Sequence, residues 1–421
     1  MKNIALLLLL YPLCHFSNAQ IIADHNSVDM YDKIPQQWVD EVKKMWVSVA
    51  GASHAMAYQA GLGRLFENDP SRPSTSQFEG EPKPYRDTHL RINMAFRGTH
   101  DSPTAWEYTN GQAQWWTNQV ARERIKAYLQ YCHDNGPVLY ATMYGWSFDA
   151  QFDNPPGGEF DPKYHVRWAG STREGPDGNL IWGLDTEDKT ITGNSVSMST
   201  YIETINEYMQ YCINNGIDTK LIFSTGPVDN NGTQGWAKGE RGYQQYLKWE
   251  YIRDYINTSP NTYLMDYADI LSYSNSDELE TTSWEDSSGK LQTYPMIHPD
   301  NLKGGDTGHI GYNGAERLGK AMWWLLARMA GWDGKPLSTI STQNDNSEKI
   351  IITERDGLLQ IKSKQNITGT MISLINISGQ TLQKKMIEGN ICEINIDDFP
   401  SGTYLVVVAL DRPYSKMIVK H

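Results

Sequence analysis

Two stretches of this chain each place an amphipathic helix directly before a buried strand. Residues 128–136 and 208–216 both have the pattern of a helix closed by Asn-Gly, which is a C-terminal capping signal. Each is followed by a short apolar run, residues 138–144 and 219–224, that is typical of a buried strand. Helices that alternate with strands favour a mostly parallel sheet with helices on both of its faces. The sequence therefore predicts an α/β fold for this part of the chain.

A further strand, nearer the N-terminus, ends at a serine. Residues 47–50 are apolar, the turn of residues 51–54 (Gly-Ala-Ser-His) follows them, and residues 55–66 have the pattern of a helix. A strand, a tight turn and a helix in this order place Ser53 at the carboxyl end of a strand, beside the positive end of a helix dipole. Ser53 is therefore a candidate nucleophile.

Asp306 and His309 lie just before a long amphipathic helix that the sequence predicts at residues 313–328. A serine hydroxyl is a poor nucleophile until a base takes its proton, and that base needs an acid to fix its tautomer. Ser53, His309 and Asp306 supply these three groups from the two ends of the α/β part of the chain. The pattern predicts acyl transfer by a serine hydrolase, with Asp300 as the alternative to Asp306 for the acid.

Changes in composition along the chain predict four segments. Residues 1–19 have the charged start, apolar middle and small-residue end of a secretory signal peptide, and the hydrolase-like domain is predicted at 20–335. A Ser/Thr/Asn-rich linker at 336–348 precedes short alternating strands, which predict a small all-β sandwich at 349–421. We therefore expect an exported protein, secreted or attached to the cell surface, with no transmembrane segment.

Charge and cysteine content limit the partners and cofactors. The net charge is −13 and there is no lysine- or arginine-rich run, which argues against nucleic acid as a partner. Beyond the signal segment, three widely separated cysteines remain, Cys132, Cys212 and Cys392. Three cysteines without Cys-x-x-Cys spacing are typical neither of a disulfide framework nor of a cysteine metal site. We therefore expect no metal and no cofactor in the predicted chemistry.

Between about residues 45 and 330, the chain resembles the SGNH (GDSL-type) hydrolases. The resemblance rests on residues 51–53 (Gly-Ala-Ser) near the start, on Asp306-x-x-His309 near the end, and on the order of strands and helices between them. It implies a flavodoxin-like three-layer α/β/α fold with a mostly parallel sheet. It also implies an esterase in which Ser53 attacks the ester carbonyl while Asp306 and His309 act as acid and base.

Two positions depart from the pattern of that family. Ala52 stands where the family usually has an aspartate, a residue that lies outside the triad. The family forms its oxyanion hole from the serine N–H, a glycine N–H and an asparagine side chain, and the matching block here, residues 145–149, contains no asparagine. The resemblance therefore implies an oxyanion hole of Ser53, Gly98 and Ser147, with Ser147 in place of the asparagine.

The C-terminal part of the chain is similar to the type IX secretion sorting domains of Bacteroidetes. The similarity rests on residues 374–380, on residues 399–406 and on residues 416–421 at the end of the chain. It implies transport across an outer membrane, with the type IX secretion machinery as the partner of this domain.

Substrate contacts are predicted at His54, Trp116 and Trp146. Indole rings in polar sequence contexts can stack on the apolar faces of sugars, so the leading prediction is an esterase that acts on carbohydrate esters, for example by deacetylation. Two alternatives stay open. One is a glycan-binding protein that keeps the fold without the chemistry, and the other is a glycoside hydrolase that uses paired carboxylates such as Asp185 and Glu187.

Overall fold

In a computed structural model the chain divides into two compact units, Met1–Lys335 and Pro336–His421, and this boundary coincides with the start of the predicted linker. The predicted signal peptide and the linker lie outside the described residues. The structure describes residues 20–51, 53–77, 80–81, 87–98, 103–107, 114–117, 119–136, 138–146, 159–170, 181–228, 239–335, 350–355, 357–363, 366–376, 381–409 and 414–420. Within these ranges, no helix has the length and apolar character needed to cross a membrane.

Within the described ranges, the strands of the first unit form one large sheet and three hairpins. They are β1 (Ile21–Ala23), β2 (Trp46–Gly51), β3 (Ser74–Gln77), β4 (Leu90–Asn93), β5 (Phe96–Arg97), β6 (Trp106–Glu107), β7 (Ala141–Gly145), β8 (Lys220–Ser224), β9 (Tyr263–Met265), β10 (Thr281–Glu285), β11 (Leu291–Pro295), β12 (Asp306–Thr307) and β13 (Ile310–Gly311). Seven strands make the large sheet in the order β1-β9-β8-β7-β2-β4-β3, and all of its neighbouring pairs are parallel. The remaining strands pair as β5–β6, β10–β11 and β12–β13, each antiparallel.

Within the described ranges, the helices of the first unit other than α6 fall into two packing groups. They are α1 (His25–Val28), α2 (Gln36–Val42), α3 (Ser53–Asn68), α4 (Gln114–Thr117), α5 (Gln119–Asn135), α6 (Lys189–Thr192), α7 (Met198–Asn215), α8 (Glu240–Thr258), α9 (Tyr267–Ser272) and α10 (Tyr312–Met329). Helix α10 packs on α1, α2, α3 and α9, whereas α7 packs on α4, α5 and α8. All six residues of β2 are buried, as expected for a parallel strand whose two faces are both covered. The predicted α/β class with a parallel sheet is confirmed.

The described part of the second unit contains two antiparallel sheets. Its strands are β14 (Ile350–Arg355), β15 (Leu358–Ser363), β16 (Met371–Asn376), β17 (Thr381–Met386), β18 (Ile391–Asn395), β19 (Gly402–Val408) and β20 (Tyr414–Lys420). The sheets have the orders β14-β15-β18 and β17-β16-β19-β20. Alternate residues of both sheets, among them Ile352, Ile361, Leu374 and Val406, point into one shared core. This packing gives the unit the sandwich architecture that its alternating pattern predicts.

Candidate active site

Ser53 lies where the sequence places it, at the junction of a central strand and a helix. It is the first residue of α3, two positions after the last residue of β2, and its side chain is half-buried. Strand β2 lies between β7 and β4 in the large sheet, so Ser53 is at the carboxyl edge of that sheet. This edge is where ligands bind in open α/β sheets, and the amino end of a 16-residue helix favours negative charge there.

Two glycines set the backbone position of this junction. Gly51 of β2 and Gly145 of β7 are direct neighbours in the sheet. A Cβ atom added to Gly51 would lie 2.3 Å from the carbonyl oxygen of Gly145, and one added to Gly145 would lie 2.8 Å from the Cβ of Ala55. The two strands and the first turn of α3 are therefore too close for a side chain at either glycine, and their close approach determines where Ser53 lies.

The predicted acid and base lie on a hairpin that contacts Ser53. Strands β12 and β13 are joined by Gly308 and His309, both with positive φ (58° and 66°), which is typical of a type I′ turn. A Cβ added to Gly308 would lie 2.2 Å from the carbonyl oxygen of Ser53, so the turn packs on the backbone at the start of α3. Asp306 and His309 are both exposed on this hairpin. The three predicted triad residues therefore belong to two elements in direct contact.

His54 packs beside His309 inside the protein. Its side chain is 1% exposed, and its ring centroid lies 5.0 Å from that of His309 and 6.0 Å from that of Tyr267. Burial, with a smaller contribution from the nearby His309, holds the pKa of His54 well below its usual range. His54 is therefore a neutral packing partner of His309, and its burial does not support the predicted contact with substrate.

Asp300, the alternative acid, has other partners. It lies in a 3₁₀ turn (Pro299–Leu302), and its carboxylate is 2.5 Å from Nζ of Lys303 and 3.7 Å from Nδ1 of His298. The hydrogen bond from Lys303 lowers the pKa of Asp300. Asp306, by contrast, lies on the same hairpin as His309, which favours Asp306 as the acid.

The predicted oxyanion hole needs a correction at Gly98. The N–H of Gly98 donates a hydrogen bond to the carbonyl oxygen of Ala105 at 2.9 Å, as part of the small hairpin of β5 and β6. That N–H is therefore not available to a substrate oxyanion. Ser147 lies outside the described residues. The N–H of Ser53 lies at the start of a helix, where amides lack intrahelical acceptors. Of the three predicted oxyanion donors, this one is retained.

The two predicted substrate-binding tryptophans belong to the core. Trp116 and Trp146 are 0% and 1% exposed. Their rings are 5.6 Å apart in a T-shaped arrangement, and Trp116 packs in the same way on Trp182 at 5.4 Å. The indole N–H of Trp146 donates to the carbonyl oxygen of Ser224 at 2.8 Å. Because neither indole presents a face to solvent, the prediction that they stack on a sugar is not supported.

One carboxylate of the alternative glycosidase hypothesis, that of Asp185, has a role in local structure. Asp185 accepts a hydrogen bond from the backbone N–H of Glu187 at 2.9 Å and caps a 3₁₀ turn. Asp188, nearby, accepts from the N–H groups of Leu184 and Asp185. These roles account for Asp185 and Asp188, whereas Glu187 is exposed.

A histidine–carboxylate cluster at the end of β1 was not anticipated from the sequence. Asp24, His25 and Asp269 bring three side chains to metal-ligand spacing within the described ranges. Nδ1 of His25 is 2.6 Å from a carboxylate oxygen of Asp269, and its ring stacks on Tyr273 at 3.6 Å. The signal in the sequence was the apolar run Ile21–Ala23 followed directly by Asp24 and His25, which marks the end of a short strand with two polar side chains. The hydrogen bond between the two side chains accounts for their proximity.

Comparison with known proteins identifies the second unit. No curated protein matches this chain. Solved structures with similarity include a DUF3244-family protein with an immunoglobulin-like β-sandwich fold from Bacteroides vulgatus (18% identity over 18% of this chain and 88% of that chain, TM-score 0.17). Another is the Ig1 domain of mouse SynCAM 2 (16% identity over 17% of this chain and 93% of that chain, TM-score 0.15). TM-scores this low support no conclusion about fold or function.

Residues 355–420 match the family model described as a secretion system C-terminal sorting domain. This segment of the protein is therefore a type IX secretion sorting domain, which implies export to the cell surface or beyond.

Proposed function

We propose that the first unit is a serine esterase of the SGNH type that acts on esters of carbohydrates. The observation that carries the proposal is the contact between Gly308 and the backbone of Ser53. It brings the hairpin with Asp306 and His309 onto the first turn of the helix that begins at Ser53. The proposed nucleophile, base and acid thereby lie on two contacting elements at one edge of the sheet.

The strand order supports the flavodoxin-like part of the proposal. Within the seven-stranded sheet, five adjacent strands have the order β4-β2-β7-β8-β9. Numbered among themselves along the chain, they read 2-1-3-4-5, which is the flavodoxin-like order. In that order the ligand site lies at the carboxyl ends of the first and third strands, here β2 and β7. Ser53 lies two positions after the last residue of β2.

The backbone of His309 also supports a functional role. A non-glycine residue with φ of 66° is uncommon, and such conformations concentrate at active sites. The neutral ring of His54 next to His309 adds no positive charge to the site.

The reaction follows from these roles. Oγ of Ser53 attacks the carbonyl carbon of the ester while His309 takes the hydroxyl proton and Asp306 orients the imidazole. The N–H of Ser53 donates to the oxyanion that forms. Collapse of this intermediate breaks the bond to the alcohol, which leaves with the proton from His309. Water then attacks the acyl group on Ser53, with His309 again as base, and the carboxylic acid is released.

The carbohydrate part of the proposal rests on the export of the chain by its sorting domain and on the habits of the family that it resembles. A second candidate, a glycan-binding protein without the chemistry, is favoured by the hydrogen bond of the Gly98 N–H to Ala105. That bond leaves the predicted oxyanion hole with fewer donors.

Substitution of the triad tests the proposal. With a short acyl ester, Ser53→Ala and His309→Ala should each lower kcat by roughly four to six orders of magnitude. The double variant should be little worse than either, because the residues act as a unit. Asp306→Asn should cost less, since nucleophile and base remain. His133→Ala, an exposed histidine on α5, is the matched control and should keep wild-type kcat.

Full activity in Ser53→Ala would end the proposal. A wild-type protein that binds glycans but hydrolyses no ester would instead establish the non-catalytic candidate.

A further inference from the structure

A small cavity lies beside α8, at the same edge of the sheet as Ser53. Its wall includes Val228, Gln245, Tyr246, Trp249, Arg253 and Ala268. Val228 follows β8 and Ala268 follows β9, so the cavity is at the carboxyl ends of two strands. Its volume of about 10 Å³ has room for one water-sized group.

Gln245 presents an unsatisfied carboxamide in this wall. The residue is 1% exposed, and neither Nε2 nor Oε1 has a hydrogen-bond partner within the part of the chain that the structure describes. Burying a donor and an acceptor without partners is destabilising, and such groups are rare in folded proteins. The carboxamide is therefore suited to a partner that comes from outside the chain.

The charge in the wall is already balanced. Nε and Nη2 of Arg253 each donate to a carboxylate oxygen of Asp266 at 2.7 Å, and Nη1 donates to Glu250. Because the positive charge of the guanidinium is already paired with these two carboxylates, an anionic ligand would gain little from binding in the cavity. The apolar remainder of the wall, including Trp249, favours a neutral ligand with one polar group.

We infer that this cavity binds a hydroxyl group of a neutral carbohydrate, with Gln245 as both hydrogen-bond donor and acceptor. A hydroxyl is water-sized and both donates and accepts, which matches the carboxamide. Strand β7 separates β8 from β2, so the carboxyl ends of β8 and β2 are about 10 Å apart across the sheet. The inference deepens the proposed function, on which it rests for the assignment of the sugar as the alcohol half of the ester.

Binding of sugars that carry no ester tests the inference. Xylohexaose, mannohexaose and cellohexaose would be titrated by calorimetry into the full chain and its variants. We expect the wild type to bind at least one of them and Gln245→Met to bind it roughly tenfold more weakly or worse. Gln244→Met is the matched control, because Gln244 is also buried with an unpartnered Oε1 within the described ranges but does not line the cavity. It should bind as the wild type does.

Melting separates a ligand site from a structural one. If the carboxamide serves a ligand, Gln245→Met and Gln245→Leu should have a Tm at or above that of the wild type, since they remove unsatisfied polar atoms. A Tm well below the wild type in both would assign the amide to a structural water and overturn the inference. So would unchanged binding in Gln245→Met, or no binding of any probe by the wild type. Because the probes carry no ester, these results are independent of the Ser53 assays.

Discussion

Gly308→Ala tests the contact on which the proposed active site depends. The change adds a single Cβ atom, and this atom would lie 2.2 Å from the carbonyl oxygen of Ser53. Ordinary contacts of a Cβ begin near 3.4 Å, so the hairpin and the first turn of α3 must separate by about 1 Å. The substitution touches neither the serine hydroxyl nor the imidazole, so its effect comes from their relative placement.

Two magnitudes follow from this geometry. Alanine in a left-handed conformation costs roughly 1–2 kcal/mol, which corresponds to a fall in Tm of about 2–6 °C in a unit of this size. A misplacement of catalytic groups by about 1 Å lowers kcat by about 100-fold. At 25 °C the variant should still be almost entirely folded, so unfolding cannot account for a 100-fold lower kcat.

Gly289→Ala provides a matched control in the turn between β10 and β11. Its φ is also positive (+81°), but no atom lies within 4 Å of the added Cβ. We expect a fall in Tm no larger than that of Gly308→Ala, because no contact is broken, and a wild-type kcat, measured on a short acyl ester beside a thermal melt. If Gly308→Ala keeps kcat within about twofold of the wild type, or if both variants lose activity equally, the contact does not position the triad.

Two further predictions concern the first unit as a whole. A chain that ends at Lys335 should keep the melting transition and the ester hydrolysis of the first unit. Cell fractionation should no longer find this shortened chain at the surface of the native host. Surface display without residues 355–420 would contradict the sorting role. Because the folded state holds His54 neutral, whereas the unfolded chain binds a proton there below about pH 6.5, the free energy of unfolding should fall as pH decreases below about 6.5. Urea denaturation at pH 5, 6 and 7 should show a shallower decrease for His54→Gln, and an identical decrease would rule out this assignment.

Sequence patterns predicted the elements whose signal is local. The helix expected at residues 55–66 is α3 (Ser53–Asn68), and the one expected at 313–328 is α10 (Tyr312–Met329). Both have an apolar face long enough to specify a helix without distant contacts. The three-residue strand β1 was missed because Ile21–Ala23 forms a strand through its pairing with β9, more than 200 residues away.

The site was predictable to the extent that it depends on residue order. Ser53 and His309 were chosen as candidates because Ser53 lies between a strand and a helix and because a helix follows His309. The error at Gly98 has a different origin, since the partner of its N–H is fixed by a hairpin of two-residue strands that leave little trace in a sequence. The burial of Trp116 likewise depends on rings contributed by distant segments, to which its polar sequence neighbours give no clue.

The pair of glycines at the ends of β2 and β7 affects how a mutational scan of this protein would be interpreted. Gly51 and Gly145 carry no functional group, yet each would bring a Cβ atom to within 2.8 Å of a neighbour if replaced by any other residue. Both positions would therefore score as intolerant to every substitution, as a catalytic serine does. A double replacement would not rescue either, because the added atoms meet the sheet and α3 rather than each other. At this edge of the sheet, a position that tolerates no substitution can therefore be one that fixes the backbone around Ser53 and need not take part in the chemistry.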